Sequence, residues 1–160
     1  MKKAACCLLT LMALVYLIPS ARSAEREVFR DSSGRITDTA TRNGNRVVYR
    51  DASGRIVGTA TRNGNRTTYR NASGRTVGTA TENGNRTTYR DASGRTTGSA
   101  TRNGNRTTYR DNSGRTTGTR QTYNGGSRST YRDASGRSTG SSSGNLRNAP
   151  LTAPDFNRNR

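Results

Sequence analysis

The chain has 160 residues and a formal net charge of +18, with 28 Lys and Arg against ten acidic residues. It has no His or Trp, and its two Cys are adjacent at Cys6 and Cys7. That composition excludes a disulfide scaffold, a Cys/His zinc site and His-based catalysis.

At the N-terminus, Lys2 and Lys3 precede an almost wholly apolar run from Ala4 to Ile18, which Pro19 and Ser20 break. Ala21-Arg22-Ser23 sets small residues before a cut at Ser23, the pattern of a secretory signal peptide. About 15 apolar residues fall short of the ~20 that span a bilayer, so the run reads as a helical signal peptide over 1–23 and not as an anchor. The expected location is the periplasm or cell exterior of a bacterium, with no membrane span in the mature chain. After residue 23 there are 25 Arg, no Lys and ten acidic residues, a net charge of +15. Only eleven residues there are Leu, Ile, Val or Phe. That is far below the ~20% under which a charged chain tends to disorder, and it excludes a Leu/Ile-packed core.

A 24–28 lead-in precedes a 20-residue repeat over 29–139, whose units begin at Phe29, Tyr49, Tyr69, Tyr89 and Tyr109, with a partial unit at Tyr131. The first unit is the most divergent, and the unit from Tyr109 has two extra residues around Arg120 to Ser127. Each unit carries two turn signals. Asp-Ala-Ser-Gly suits a type I turn, with Asp first and Gly at positive φ. Asn-Gly suits a type I′ hairpin turn. The stretches between them, such as Arg106-Thr107-Thr108-Tyr109-Arg110, are rich in Thr and Tyr and read as strands of about six residues. No window has a helical apolar stripe. The expected fold is therefore all-β, an antiparallel meander of repeated hairpins in a single sheet with two wet faces. A β-solenoid is an alternative, although it would stack Arg46, Arg66, Arg86 and Arg106 about 4.8 Å apart. A largely disordered chain is another, on composition. Residues 140–160 read as a flexible basic tail.

The string Asn103-Gly104-Asn105-Arg106-Thr107-Thr108-Tyr109-Arg110-Asp111, followed by Ser113-Gly114-Arg115, resembles the YD repeat of Rhs proteins, insecticidal toxin-complex subunits and teneurins. That repeat reads G-N-x-T-x-Y-x-Y-D-x-x-G-R-L. Here a single Tyr stands two residues before Asp, and the Leu survives only as Ile36 and Ile56. The resemblance implies β-hairpins that spiral into a sheet, with which carbohydrate binding has been associated. Five units are too few for the family's closed shell. A looser similarity is to curli-type secreted repeat subunits, whose Gln ladders are missing: Gln121 is the only Gln.

The recurrent functional pattern is Tyr beside Arg: Tyr49-Arg50, Tyr69-Arg70, Tyr89-Arg90, Tyr109-Arg110 and Tyr131-Arg132. Arg pairs with anions and Tyr stacks on a sugar ring or base. These ten residues are the candidate ligand-binding set, with no catalytic or metal-binding residues and no cofactor. The repeated Asp51, Asp91, Asp111 and Asp133 read as turn formers, because Asn71 fills the same position. The expected function is a secreted, non-enzymatic protein that binds an anionic polymer: acidic polysaccharide, lipopolysaccharide or nucleic acid. The alternative is a structural subunit of a fibre or biofilm matrix that self-associates through sheet edges.

Overall fold

The computed structural model describes residues 25–144. The signal peptide expected over 1–23 and most of the expected tail lie outside the described residues. Twelve strands follow in order: β1 (Glu25–Asp31), β2 (Ile36–Asn43), β3 (Arg46–Asp51), β4 (Ile56–Asn63), β5 (Arg66–Asn71) and β6 (Thr76–Asn83), then β7 (Arg86–Asp91), β8 (Thr96–Asn103), β9 (Arg106–Asp111), β10 (Thr116–Tyr123), β11 (Arg128–Asp133) and β12 (Ser138–Gly144). Every neighbouring pair is antiparallel, and β12 pairs with β1, so the meander closes into a barrel.

Closure corrects two expectations. The sheet has one wet face and one enclosed face, not two wet faces. Six hairpins suffice to close it, because the strands coil around a layer of side chains and not around a large hollow. Among the described strands none is left with an unpaired edge. The ordered unit is also longer than the recognisable repeat. The lead-in belongs to β1, and the first residues assigned to the tail complete β12.

Both turns have clear local causes. At the Asp turns, such as that joining β3 to β4, Asp51 Oδ1 accepts from the Ser53 amide at 3.0 Å, the Ser53 hydroxyl at 2.6 Å and the Arg55 amide at 3.0 Å. The Gly54 amide closes the turn on the Asp51 carbonyl at 3.0 Å, with Gly54 at φ +82. This is the type I turn with a left-handed glycine that the sequence predicts. The other turn differs. Asn43 pairs with Arg46, leaving Gly44-Asn45 as the two-residue loop. Gly44 has φ +59 and Asn45 is not at positive φ. That is the pattern of a type II′ turn with Gly first, one residue out of step with the type I′ Asn-Gly reading.

The two extra residues fall in the β10–β11 loop, where a 3₁₀ turn over Asn124–Gly126 links Tyr123 to Arg128. A loop absorbs them without disturbing either strand, so face parity is kept by their location.

The enclosed face explains the repeat. Tyr49, Tyr69, Tyr89, Tyr109 and Tyr131, with Phe29, form one aromatic layer, one ring per hairpin. Across the ladder each Tyr has a glycine on one side, from Tyr49↔Gly58 to Tyr131↔Gly140. On the other side four of them have an alanine, from Ala40↔Tyr49 to Ala100↔Tyr109. Small residues make room for the rings, and the rings cover the glycine backbone. Glycine is also required by the bulge beside it: a Cβ on Gly78 would lie 2.6 Å from the Arg90 carbonyl oxygen. The core is thus Tyr packed on Ala, with Val47 and Thr67 in the next layer.

Candidate functional site

The barrel separates the two halves of the Tyr-Arg pattern. Successive residues of a strand point to opposite faces. Tyr49 and Tyr69 are 2% exposed, inside the barrel. Arg50, Arg70, Arg90, Arg110 and Arg132 are exposed on the outside. One ligand on the outer surface therefore cannot stack on the tyrosines while pairing with the arginines, and the ten candidate residues do not form one site.

The arginines form a regular outer array. Arg30, Arg50, Arg70, Arg90, Arg110 and Arg132 ring the barrel near the Asp turns, all exposed. The turn residues Arg35, Arg55, Arg75, Arg95, Arg115 and Arg137 make a second exposed ring beyond them. Arg26, Arg46, Arg66, Arg86, Arg106 and Arg128 make a third near the Gly-Asn turns. Members of a ring sit on every second strand, about 10 Å apart at ordinary strand spacing. In the first ring, Arg50, Arg70, Arg110 and Arg132 each donate one Nη1 to the carbonyl of the turn glycine four residues on, at 2.9–3.0 Å. One donor anchors the guanidinium, and the planar group keeps further donors directed at solvent.

The acidic residues offset this array in part: Asp51 Oδ2 lies 3.1 Å from Arg55 Nε and Asp133 Oδ2 lies 3.2 Å from Arg137 Nε, both arginines of the second ring. Asp31, Asp51, Asp91, Asp111 and Asp133 accept from their own turns. Their carboxyls are held below the usual range, first by the Ser hydroxyl two residues on and then by amides of the turn; Asp51 falls to about 2.

Two features of the interior are absent from the repeat-based reading. The first is an ion pair. Glu27 on β1 stands where other units have Val47, Thr67, Thr87, Thr107 or Ser129, and Arg120 on β10 stands where four others have Ala and the last has Ser142. Arg120 Nη2 lies 3.8 Å from Glu27 Oε1, with both side chains about 5% exposed. Arg120 Nε donates to Ser129 Oγ at 2.8 Å, and its guanidinium lies 5.8 Å from the Tyr131 ring centre. The signal in the sequence was two charges at positions whose parity puts them inside.

The second is a cavity of about 480 Å³ at the Asp-turn mouth. Tyr69, Tyr89, Tyr109 and Tyr131 line it, together with Gly78, Gly98 and Gly118. Burial raises the phenol pKa of Tyr69, Tyr109 and Tyr131, so they stay neutral. At the opposite mouth, a smaller cavity of about 210 Å³ is lined by Arg42 and Arg62, which pair with Glu25 (3.7 Å) and Glu82 (2.7 Å).

No group of three or more potential metal ligands, and no helix long and apolar enough to cross a membrane, occurs among the described residues. No protein-family model matches the chain, and no curated protein matches it. An X-ray structure of a protein from Arabidopsis thaliana is similar, with a TM-score of 0.53 at 11% identity, covering 74% of this chain and 78% of that one. At that identity the likeness shows a common fold and carries no chemistry across.

Proposed function

We propose that the protein is a non-enzymatic binder of anionic polymers, exported by its N-terminal segment, and that it works through the outer arginine rings alone. The observation behind this reading is the placement of 18 arginines in three exposed rings against five turn carboxylates, of which Asp51 and Asp133 pair with Arg55 and Arg137. A flexible polyanion laid along or around the barrel meets a guanidinium every ~10 Å, whichever strand it crosses. Arg is suited to this contact because its planar fork pairs with phosphate, sulfate or carboxylate in a bidentate way. Single contacts are weak, and their regular repetition raises the effective concentration of each next contact. The tyrosines take a different role from the one expected of them: they support the wall that displays the arginines. The YD-like hairpin string is consistent with a surface-polymer binder but adds no residue to the site.

The test is retention of the full chain on columns bearing an acidic polysaccharide and on columns bearing duplex DNA. The reading expects binding to both, eluted by salt, because the contacts it rests on are charge contacts of the arginine rings. Passage through both columns at low salt would end it.

A further inference from the structure

We infer that the Asp-turn mouth is a second binding site, taking a small amphipathic anion: an aromatic or alkyl body inside the cavity and a carboxylate, sulfonate or phosphate head at its rim. The cavity is within the ordinary range of small-molecule pockets, about 300–1,000 Å³. Its walls are Tyr rings, with Val77 and bare glycine backbone beside them. The charged residues that border it are Arg90, Arg110, Arg132 and Asp91. The two exposed arginine rings near the Asp turns lie at this end of the barrel, and the Asp91 carboxylate is turned to the Ser93 amide at 3.0 Å and the Ser93 hydroxyl at 2.7 Å. The apolar wall rewards burial of a ring or chain, and the positive rim favours an anion over a cation or a neutral analogue of the same shape.

The cavity is lopsided, which gives it a defined place. Where β3–β4 and β5–β6 carry Val57 and Val77 at the bulge, β7–β8, β9–β10 and β11–β12 carry the smaller-faced, exposed Thr97, Thr117 and Thr139. Tyr49 and Tyr69 are sealed, whereas Tyr89, Tyr109 and Tyr131 keep part of their surface exposed and line this cavity.

The site is tested with anilinonaphthalene sulfonate on the folded full chain, by fluorescence titration and calorimetry. The expected result is saturable binding with one probe per chain. The same naphthyl body without the sulfonate, or bearing an ammonium group, should bind at least about tenfold more weakly. Thr117→Trp, and separately Thr97→Trp, should fill the mouth and cut probe affinity about tenfold or more while leaving circular dichroism and polyanion retention as in the parent. Several equivalent probes per chain, unchanged affinity in both folded Trp variants, or equal affinity for the uncharged analogue would each overturn the site. Retention on the polyanion column tests the outer surface separately, so the two can fail independently.

Discussion

At the residue scale, each position of the repeat has a separate task. Asp at the turn supplies an acceptor for two or three donors, and the resulting depression of its pKa has a stability consequence. In the unfolded chain Asp titrates near ~3.9. In the barrel the turn aspartates titrate lower, Asp51 at about 2. The folded state therefore binds fewer protons between those values, so this stabilisation is complete above pH ~4 and is lost as pH falls toward ~2. Acid unfolding followed by circular dichroism should show a decline in that window, and Asp51→Asn should lessen it by one carboxylate's share, since Asn71 already builds the same turn without a charge. A decline centred above pH 5 would contradict the assignment. Glycine has an equally specific task at the bulge. Gly78→Ala places a Cβ against the Arg90 carbonyl, a backbone atom that cannot swing away. It should lower the melting midpoint far more than Thr79→Ala on the same strand.

At the element scale, the hairpin is a packing unit of one ring between small residues. Tyr49→Ala removes a sealed ring from an Ala/Gly seat and should cost about 3–5 kcal/mol in chemical denaturation. Arg50→Gln, one residue away on the outer face, should change stability by no more than about 0.5 kcal/mol. Equal effects would mean the two faces are not separated as described. Much of this unit is legible in the sequence. The 20-residue period, the two strands per unit and the Asp turn follow from residue types alone. The separation of Tyr49 from Arg50 follows from parity. The Gly-Asn loop was misplaced by one residue because Asn-Gly and Gly-Asn overlap in Asn43-Gly44-Asn45, and only the pairing of Asn43 with Arg46 decides between them. The low content of large aliphatic residues suggested disorder, because it does not show how completely a Tyr ring can be seated on Ala and Gly.

At the scale of the whole molecule, closure was the property least legible in the sequence. It depends on how strands at opposite ends of the chain meet, and a repeat describes only neighbours. The two residues that break the repeat inside the barrel, Glu27 and Arg120, join the first hairpin to the fifth across β11 and β12. A buried ion pair broken on one side leaves an uncompensated charge. Arg120→Ala alone should destabilise by about 3–5 kcal/mol, whereas Glu27→Thr with Arg120→Ala, which restores the residues of the other units, should recover most of that loss. Additive losses in the double variant would show that the pair plays no part in closure.

The outer arginine rings are tested most directly by the salt dependence of affinity for one polyanion, duplex DNA, measured for the parent chain and for the variant in which Arg50, Arg70, Arg90, Arg110 and Arg132 are all Gln. Each phosphate contact contributes up to ~0.9 to the slope of log affinity against log salt. The account predicts a steep parent slope that falls by two or more units in the variant, about 0.9 for each arginine that meets a phosphate, with the circular dichroism spectrum unchanged. A folded variant that binds like the parent at every salt concentration would contradict it, leaving the arginine rings as a solvated surface.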